Sequence, residues 1–318
     1  MRVHLSRSAQ MLGRMIRQCV CLLLLAFTTA RGQEGKFGFG PDPSVMPATT
    51  TSTTQETKPP VNVVGGLVEY IAPRLSAFEP MYFLGWPESP DIKFQLSLKY
   101  QLLGPQNPIW GPLPLPDGSS LHIAYTQTTL WDFSADSSPL YDTSYKPELL
   151  YLYQQQTPTW LGLTHFDLHV ALAHESNGES GVDSRSINIV YVKPVFTWGD
   201  PGNHPNPKND WFITVAPRVW AYLSKNEENP DIEDFRGHGD LKIVVGERGG
   251  FQLAMIGRMG DDFEHGSLEV DGSFPCGRIG IKNPDLYLYA QYFTGYGEAL
   301  LDYNESGSSF RVGLALVR

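Results

Sequence analysis

Phe166-Asp167-Leu168-His169-Val170-Ala171-Leu172-Ala173-His174-Glu175-Ser176 alternates between two faces, and that alternation decides the fold. Phe166, Leu168, Val170 and Leu172 share one parity, and Asp167, His169, Ala171 and Ala173 the other, which is the period of a strand with one apolar side. Carried forward, the apolar parity arrives at His174 and Ser176. A second strand follows, with Val190, Val192, Phe196 and Trp198 on one parity, and Asn188 begins that same parity. An imidazole, a hydroxyl and an amide thus stand where hydrocarbon is expected, at the ends of two strands joined by a short connection.

The same period recurs from about residue 81 onward. In residues 93–100, Phe94, Leu96, Leu98 and Tyr100 oppose Lys93, Gln95, Ser97 and Lys99. In 211–223, Trp211, Ile213, Val215 and Val219 oppose Thr214, Arg218 and Tyr222, and 251–259, 286–294 and 310–316 repeat the pattern, the last with Arg311 on the polar parity. About twelve such segments predict an all-β, antiparallel transmembrane β-barrel, since bacterial barrels favour even strand numbers. Lys and Arg suit a polar lumen, whereas near the bilayer midplane each would cost ~2–4 kcal/mol facing lipid. Segments of about 8–12 residues are long for a soluble sandwich and suited to crossing a bilayer at a tilt. No run of about 18 apolar residues follows the N-terminal region, so no transmembrane helix is expected.

The first thirty of the 318 residues read as export machinery. Arg2, Arg7, Arg14 and Arg17 precede an apolar run that begins at Cys19, and Thr28-Thr29-Ala30 offers a small-residue cleavage site. Residues 1–30 are therefore expected to be a signal peptide. They carry four arginines and no acid, so their removal takes the formal charge from −10 to −14. A mature chain this acidic is a poor partner for nucleic acid. Only Cys276 remains after cleavage, which excludes an intrachain disulfide. Residues 31–65 hold Gly, Pro and a Thr/Ser tract and read as a disordered leader, leaving 66–318 for the barrel.

The polar interruption contains the parts needed for acyl transfer. Ser176 is a possible nucleophile and His174 a possible general base on the same strand face. Asn188, on the neighbouring strand, could accept the other imidazole N–H and hold the tautomer. An uncharged third member suits a lipid-facing site, where a carboxylate is costly to desolvate. Gly178 lets backbone approach a substrate and could present its N–H to an oxyanion. His122, His165, His169, His204, His238 and His265 lack ligand spacing, which gives zinc chemistry little support.

The longer string, H-x-S-N-G from His174, then Ser180, then Ser184-Arg185-Ser186-x-Asn188, resembles the active-site segment of the outer-membrane phospholipase A family. Further blocks resemble it too: Lys93 to Leu98 (KFQLSL), Tyr125-Thr126-Gln127-Thr128, Ser137-Ser138-Pro139, Asn229-Pro230-Asp231-Ile232 and Gly295-Tyr296-Gly297-Glu298. The resemblance covers roughly residues 80–318. It implies a twelve-stranded, calcium-dependent phospholipase A1/A2 in the outer membrane of a Gram-negative bacterium, hydrolysing phospholipids and lysophospholipids and active as a homodimer. Nucleophile, base and orienting amide match Ser176, His174 and Asn188. Calcium ligands match Glu179 through its carbonyl, Ser184 through its hydroxyl, Ser137 from a partner subunit and, in a neighbouring loop, Glu228. The family has a basic residue where Glu179 stands and an acid where Gly181 stands, for which Asp183 could compensate. A calcium oxyanion aid makes chemical sense in an oily site with few donors.

Gln127 continues the apolar parity of Leu121, Ile123 and Tyr125 and is expected to face lipid, where an interchain amide pair could satisfy it at ~0.6–2 kcal/mol. The resemblance places the matching glutamine at the dimer interface. Two other readings stay open on the sequence alone: a non-catalytic barrel serving as pore or structural protein, and a soluble exported esterase. The last residues, Leu316-Val317-Arg318, depart from the aromatic ending common among outer-membrane barrels.

Overall fold

The computed structural model describes residues 71–87, 90–104, 115–156, 160–199, 211–261, 263–281 and 286–318. The expected signal peptide and leader, and His204, lie outside the described residues. The chain divides into two units, 1–73 and 74–318, and the second carries the barrel.

Among the described residues thirteen strands follow in chain order: β1 (Leu75–Ala77), β2 (Met81–Gly85), β3 (Ile92–Leu103), β4 (Ser119–Trp131), β5 (Leu140–Gln156), β6 (His165–Ser176), β7 (Ser186–Gly199), β8 (Trp211–Lys225), β9 (Gly239–Glu247), β10 (Gln252–Met259), β11 (Gly266–Pro275), β12 (Tyr287–Tyr296) and β13 (Ser306–Val317). Each pairs antiparallel with its chain neighbour from β2 onward, and β13 pairs with β2 to close the ring. Strands β1 and β2 share one stave, both lying against β3 at Ala77↔Leu98 and Tyr82↔Gln95. Twelve staves result. They are less uniform than the expected 8–12 residues, since β2 has 5 and β5 has 17.

Period-two sequence becomes an inside-out molecule. Leu96, Ile123, Leu149, Leu172, Val192, Ile213, Met255, Leu288 and Phe310 are large apolar residues on the outer surface. Lys93, Ser97, Glu148, Asp271, Gln291 and Arg311 are buried inside. Lys93, Glu148 and Arg311 each have a counterion, and Asp271 accepts instead from Gln291 Nε2 at 2.9 Å. Lys93 lies 3.3 Å from Glu298 and 3.5 Å from Glu269, and Arg311 lies 2.5 Å from Glu298. An apolar outside and an ionised, hydrogen-bonded inside exclude the soluble sandwich and suit a strand-built membrane span. Among the described residues no helix is long and apolar enough to cross a membrane.

The lumen is not simply polar. Beneath β5, β6 and β7, at the end carrying His174 and Ser176, lies a cluster of Leu150, Ala171, Ala173, Ile187, Ile189 and Tyr191. Ile232 of a five-residue helix, α1 (Ile232–Arg236), and Leu300 and Tyr303 of the β12–β13 loop complete it, with Phe235 packed alongside. Helix α1 is too short to show an amphipathic period in the sequence, and it fills the barrel mouth with apolar side chains. At the other end, Arg318 lies 4.2 Å over the Tyr287 ring and donates to the Gly250 carbonyl at 2.5 Å.

Candidate active site

The β6–β7 pairing sets His174 directly opposite Asn188, and Ser176 opposite Ser186. Exposure alternates along β6: Ala171, Ala173, Glu175 and Asn177 are buried inward, whereas Leu172 and His174 are exposed and Ser176 half-buried. The imidazole, hydroxyl and amide thus share the outer, apolar-belted face. His174 Nδ1 lies 2.9 Å from Asn188 Oδ1. An amide oxygen only accepts, so Nδ1 is the donor in this bond and Nε2 is left as the ring nitrogen that faces away from Asn188. The Ser176 hydroxyl has no hydrogen-bond partner among the described residues, and such contacts are commonly open in proteins without substrate.

The β5–β6 ladder is interrupted just there. Tyr145 pairs with Ser176 and Glu148 with Ala173, but nothing pairs across from His174, where Pro147 has no N–H to give. Tyr145 in turn lies opposite Gln127, so Gln127, Tyr145, Ser176 and Ser186 form one row across four strands. Gln127 is on the outer face as its parity predicts, but it is not bare. Its Oε1 accepts from Tyr125 Oη at 3.0 Å, and its Nε2 donates to Thr129 Oγ1 at 3.3 Å.

After Ser176 the chain turns through a loop organised by one buried side chain that sequence reasoning passed over. Asn177 is 4% exposed. Its Nδ2 donates to the Asp183 carbonyl at 2.8 Å, and its Oδ1 accepts from Arg185 N at 2.9 Å and Glu179 N at 3.3 Å. One amide therefore closes both ends of the loop. Gly178 follows with φ +76°, a conformation costly for other residues, and an added Cβ would come within 3.0 Å of the Tyr145 ring. Small backbone and an aromatic face meet beside Ser176.

The expected metal ligands fall on three loops at this end of the barrel. Glu179 is exposed, and Ser184 is half-buried in the same loop. Asn226 Nδ2 donates to Ser184 Oγ at 2.8 Å, so Asn226 is a polar neighbour the sequence reading missed. Glu228 follows, exposed, its N–H 3.4 Å from Asn226 Oδ1. Asn229 clamps β7 by accepting from Ser186 N at 3.0 Å and donating to its carbonyl at 3.2 Å. Ser137 sits apart, exposed at the β4–β5 turn with φ +67°. Among the described residues no three His, Cys, Asp or Glu converge on a metal position. The expected donors, a carbonyl, a hydroxyl and a carboxylate, are all oxygens, the type that matches a hard cation.

Behind the site the chemistry reverses. Glu175, between His174 and Ser176 but facing inward, is 8% exposed. It accepts from Ser144 Oγ at 3.0 Å and from both Arg236 terminal nitrogens at 3.2 and 3.3 Å. Burial works against the Arg236 charge, but the Glu175 carboxylate outweighs it and raises the guanidinium pKa. Tyr303 donates to Asp231 and lies under Arg185, whose guanidinium is 5.8 Å from the ring. Burial, with that carboxylate, raises the phenol's pKa.

Four similarities to known proteins bear on this arrangement. A family model described as Phospholipase A1 matches residues 77–316. Phospholipase A1 of Escherichia coli (strain K12) is 32% identical over 228 residues, which cover 71% of this chain and 69% of that protein. The solved outer membrane phospholipase A from Escherichia coli shares the fold with a TM-score of 0.60 and 26% identity, covering 77% of this chain and 91% of that one. A Salmonella typhi outer membrane phospholipase, solved as a dimer with bound calcium, has a TM-score of 0.60 and 28% identity over 77% of this chain and 92% of that one. This chain belongs to the phospholipase A1 family and is a phospholipase carried on a multi-pass barrel in the outer membrane.

Proposed function

We propose that the barrel hydrolyses acyl esters of phospholipids and lysophospholipids by a Ser-His-Asn mechanism that depends on calcium and on dimerisation. The observation that carries this reading is the His174–Asn188 hydrogen bond on the lipid-facing side, on the same strand face as Ser176. Ser176 Oγ attacks the ester carbonyl while His174 Nε2 takes its proton. The imidazolium then protonates the departing alcohol, and water, deprotonated by the same nitrogen, cleaves the acyl-serine. Asn188 Oδ1 holds Nδ1–H throughout, and the exposed Gly178 backbone offers an N–H towards the oxyanion.

Calcium would be held by the Glu179 carbonyl, the Ser184 hydroxyl, the Glu228 carboxylate and Ser137 of the partner subunit. When bound, it supplies positive charge beside the developing oxyanion, through a polarised water. The oxygen-only character of these donors supports this, as does the calcium-bound dimer of the Salmonella typhi relative. Gln127 would face the second subunit, with the amide hydrogen and lone pair left over from its bonds within the chain.

The test uses the full chain purified in detergent and presented with phospholipid, with and without a calcium chelator, alongside crosslinking. Calcium-dependent fatty-acid release that vanishes in Ser176→Ala supports the reading. Release that is indifferent to calcium, or undiminished in Ser176→Ala, defeats it. A crosslinking-negative monomer with full activity removes the dimer requirement.

A further inference from the structure

Strand β8 contains an irregularity that the hydrophobic pattern hides. From Trp211 to Leu223 its outward residues are the odd-numbered ones, including Ile213, Val219 and Leu223, and its inward residues include Phe212 and Ala216. Continued, that parity would turn Ser224 into the lumen. It does not. The β7–β8 register runs Asn188↔Ser224 and then Ile189↔Tyr222, so Leu223 is an extra residue with no partner on β7. Leu223 and Ser224 are consequently both exposed. A bulge of this kind re-aims the side chain that follows it. Here it swings a hydroxyl onto the outer face beside Asn188, whose Nδ2 donates to Ser224 Oγ at 2.8 Å.

We infer that Ser224 is a positioning residue that acts through Asn188, a role that rests on the Ser-His-Asn reading above. An asparagine amide presents nearly the same outline with oxygen or nitrogen forward. Once His174 has taken a proton, both of its ring nitrogens are donors, and the one that faces Asn188, Nδ1, can be met only by Oδ1 and not by Nδ2. With Oδ1 so turned, Nδ2 points to the neighbouring strand, into surroundings with little water. Ser224 gives that N–H an acceptor, so the orientation needed during turnover leaves no amide donor unpaired. An aspartate in the third position would need no such partner, because its two oxygens are equivalent. The neutral amide that suits a lipid-facing site thus acquires a requirement of its own, and the bulge on β8 fulfils it. Among the described residues Ser224 makes its side-chain hydrogen bond to Asn188 and none to Ser176.

The experiment compares Ser224→Thr with Ser224→Val, equal in shape and different in one hydroxyl, both built into the full chain and assayed in detergent with calcium. Folding is checked by the heat-modifiable gel mobility of the barrel. The valine variant is expected to lose about tenfold in kcat with KM little changed, the size of one lost interaction, while the threonine variant recovers most of it. In an Asn188→Ala background the two variants should be equal, because the route through the amide is already gone. Equal kcat for Thr and Val in the otherwise unchanged enzyme overturns the inference. So does a hydroxyl effect of undiminished size in Asn188→Ala. Full activity of Asn188→Ala itself marks failure of the underlying Ser-His-Asn reading instead.

Discussion

The two faces of β6 and β7 near the site solve opposite problems with the same backbone. Outside, His174, Asn188 and Ser224 form a chain of neutral hydrogen bonds among exposed hydrocarbon, Leu172 and Val192 included. Inside, one residue away, Glu175 is held as a carboxylate by Arg236 and Ser144. Charge is affordable inside because a counterion and donors are fixed there, and costly outside, where lipid supplies neither. The proposed chemistry therefore falls on the uncharged face, and the anchoring ion pair on the other. Helix α1 supplies Arg236 to the inner face and Ile232 to the cluster beneath β5, β6 and β7.

Four substitutions break or sharpen that contrast. The largest effect belongs to the outer face: Ser176→Ala should lower phospholipid hydrolysis by about 10⁴-fold while the barrel's gel mobility is unchanged. Residual turnover near that of the parent enzyme would remove Ser176 from the chemistry. On the inner face, Arg236→Met strands a buried carboxylate. Stability to denaturant should fall by about 3 kcal/mol, with activity lost through loosening of β6 and no change in calcium requirement. An unfolding midpoint equal to that of the parent would mean that Glu175 needs no counterion.

Moving charge from one face to the other is the third test. Asn188→Asp retains an acceptor for His174 but puts a carboxylate on the lipid side. Activity in bilayer vesicles should drop by about 10- to 100-fold, and by less in detergent micelles, where water reaches the site. Equal losses in both media would show that neutrality is not what selects the amide. The smallest effect is expected at Gln127. Because Tyr125 and Thr129 already satisfy part of its amide, Gln127→Ala should weaken self-association by only about threefold, the low end of intramembrane hydrogen bonds. Analytical ultracentrifugation in detergent reads this directly, and a hundredfold loss would reveal a stronger amide contact between subunits.

Much of this was legible in the residues because a strand writes its two environments alternately. Lys93, Ser97 and Arg311 fall on the lumen parity and are buried there, and His174 and Asn188 stand out as polar breaks in an apolar one. Three kinds of feature were not legible. The Leu223 bulge inverts parity without any change of composition, so Ser224 reads as a lumen residue. Asn177 carries no signal of its own beyond the H-x-S-N-G string, and its burial and hydrogen bonds reveal that it closes the loop. Helix α1 is a single turn with one buried residue, Ile232, and its role depends on a cluster drawn from β5, β6, β7 and a loop some seventy residues downstream. Partners so distant in sequence leave no local periodicity.

The most direct measurement is labelling by a phospholipid-shaped fluorophosphonate, dissolved in bilayer vesicles holding the full chain, with the modified peptide located by mass spectrometry. The account predicts one calcium-dependent adduct on Ser176, absent in His174→Ala and undisturbed by a water-soluble scavenger that cannot enter the membrane. An adduct on another residue, or one the scavenger prevents, would contradict a nucleophile that works on the lipid-facing side of the barrel.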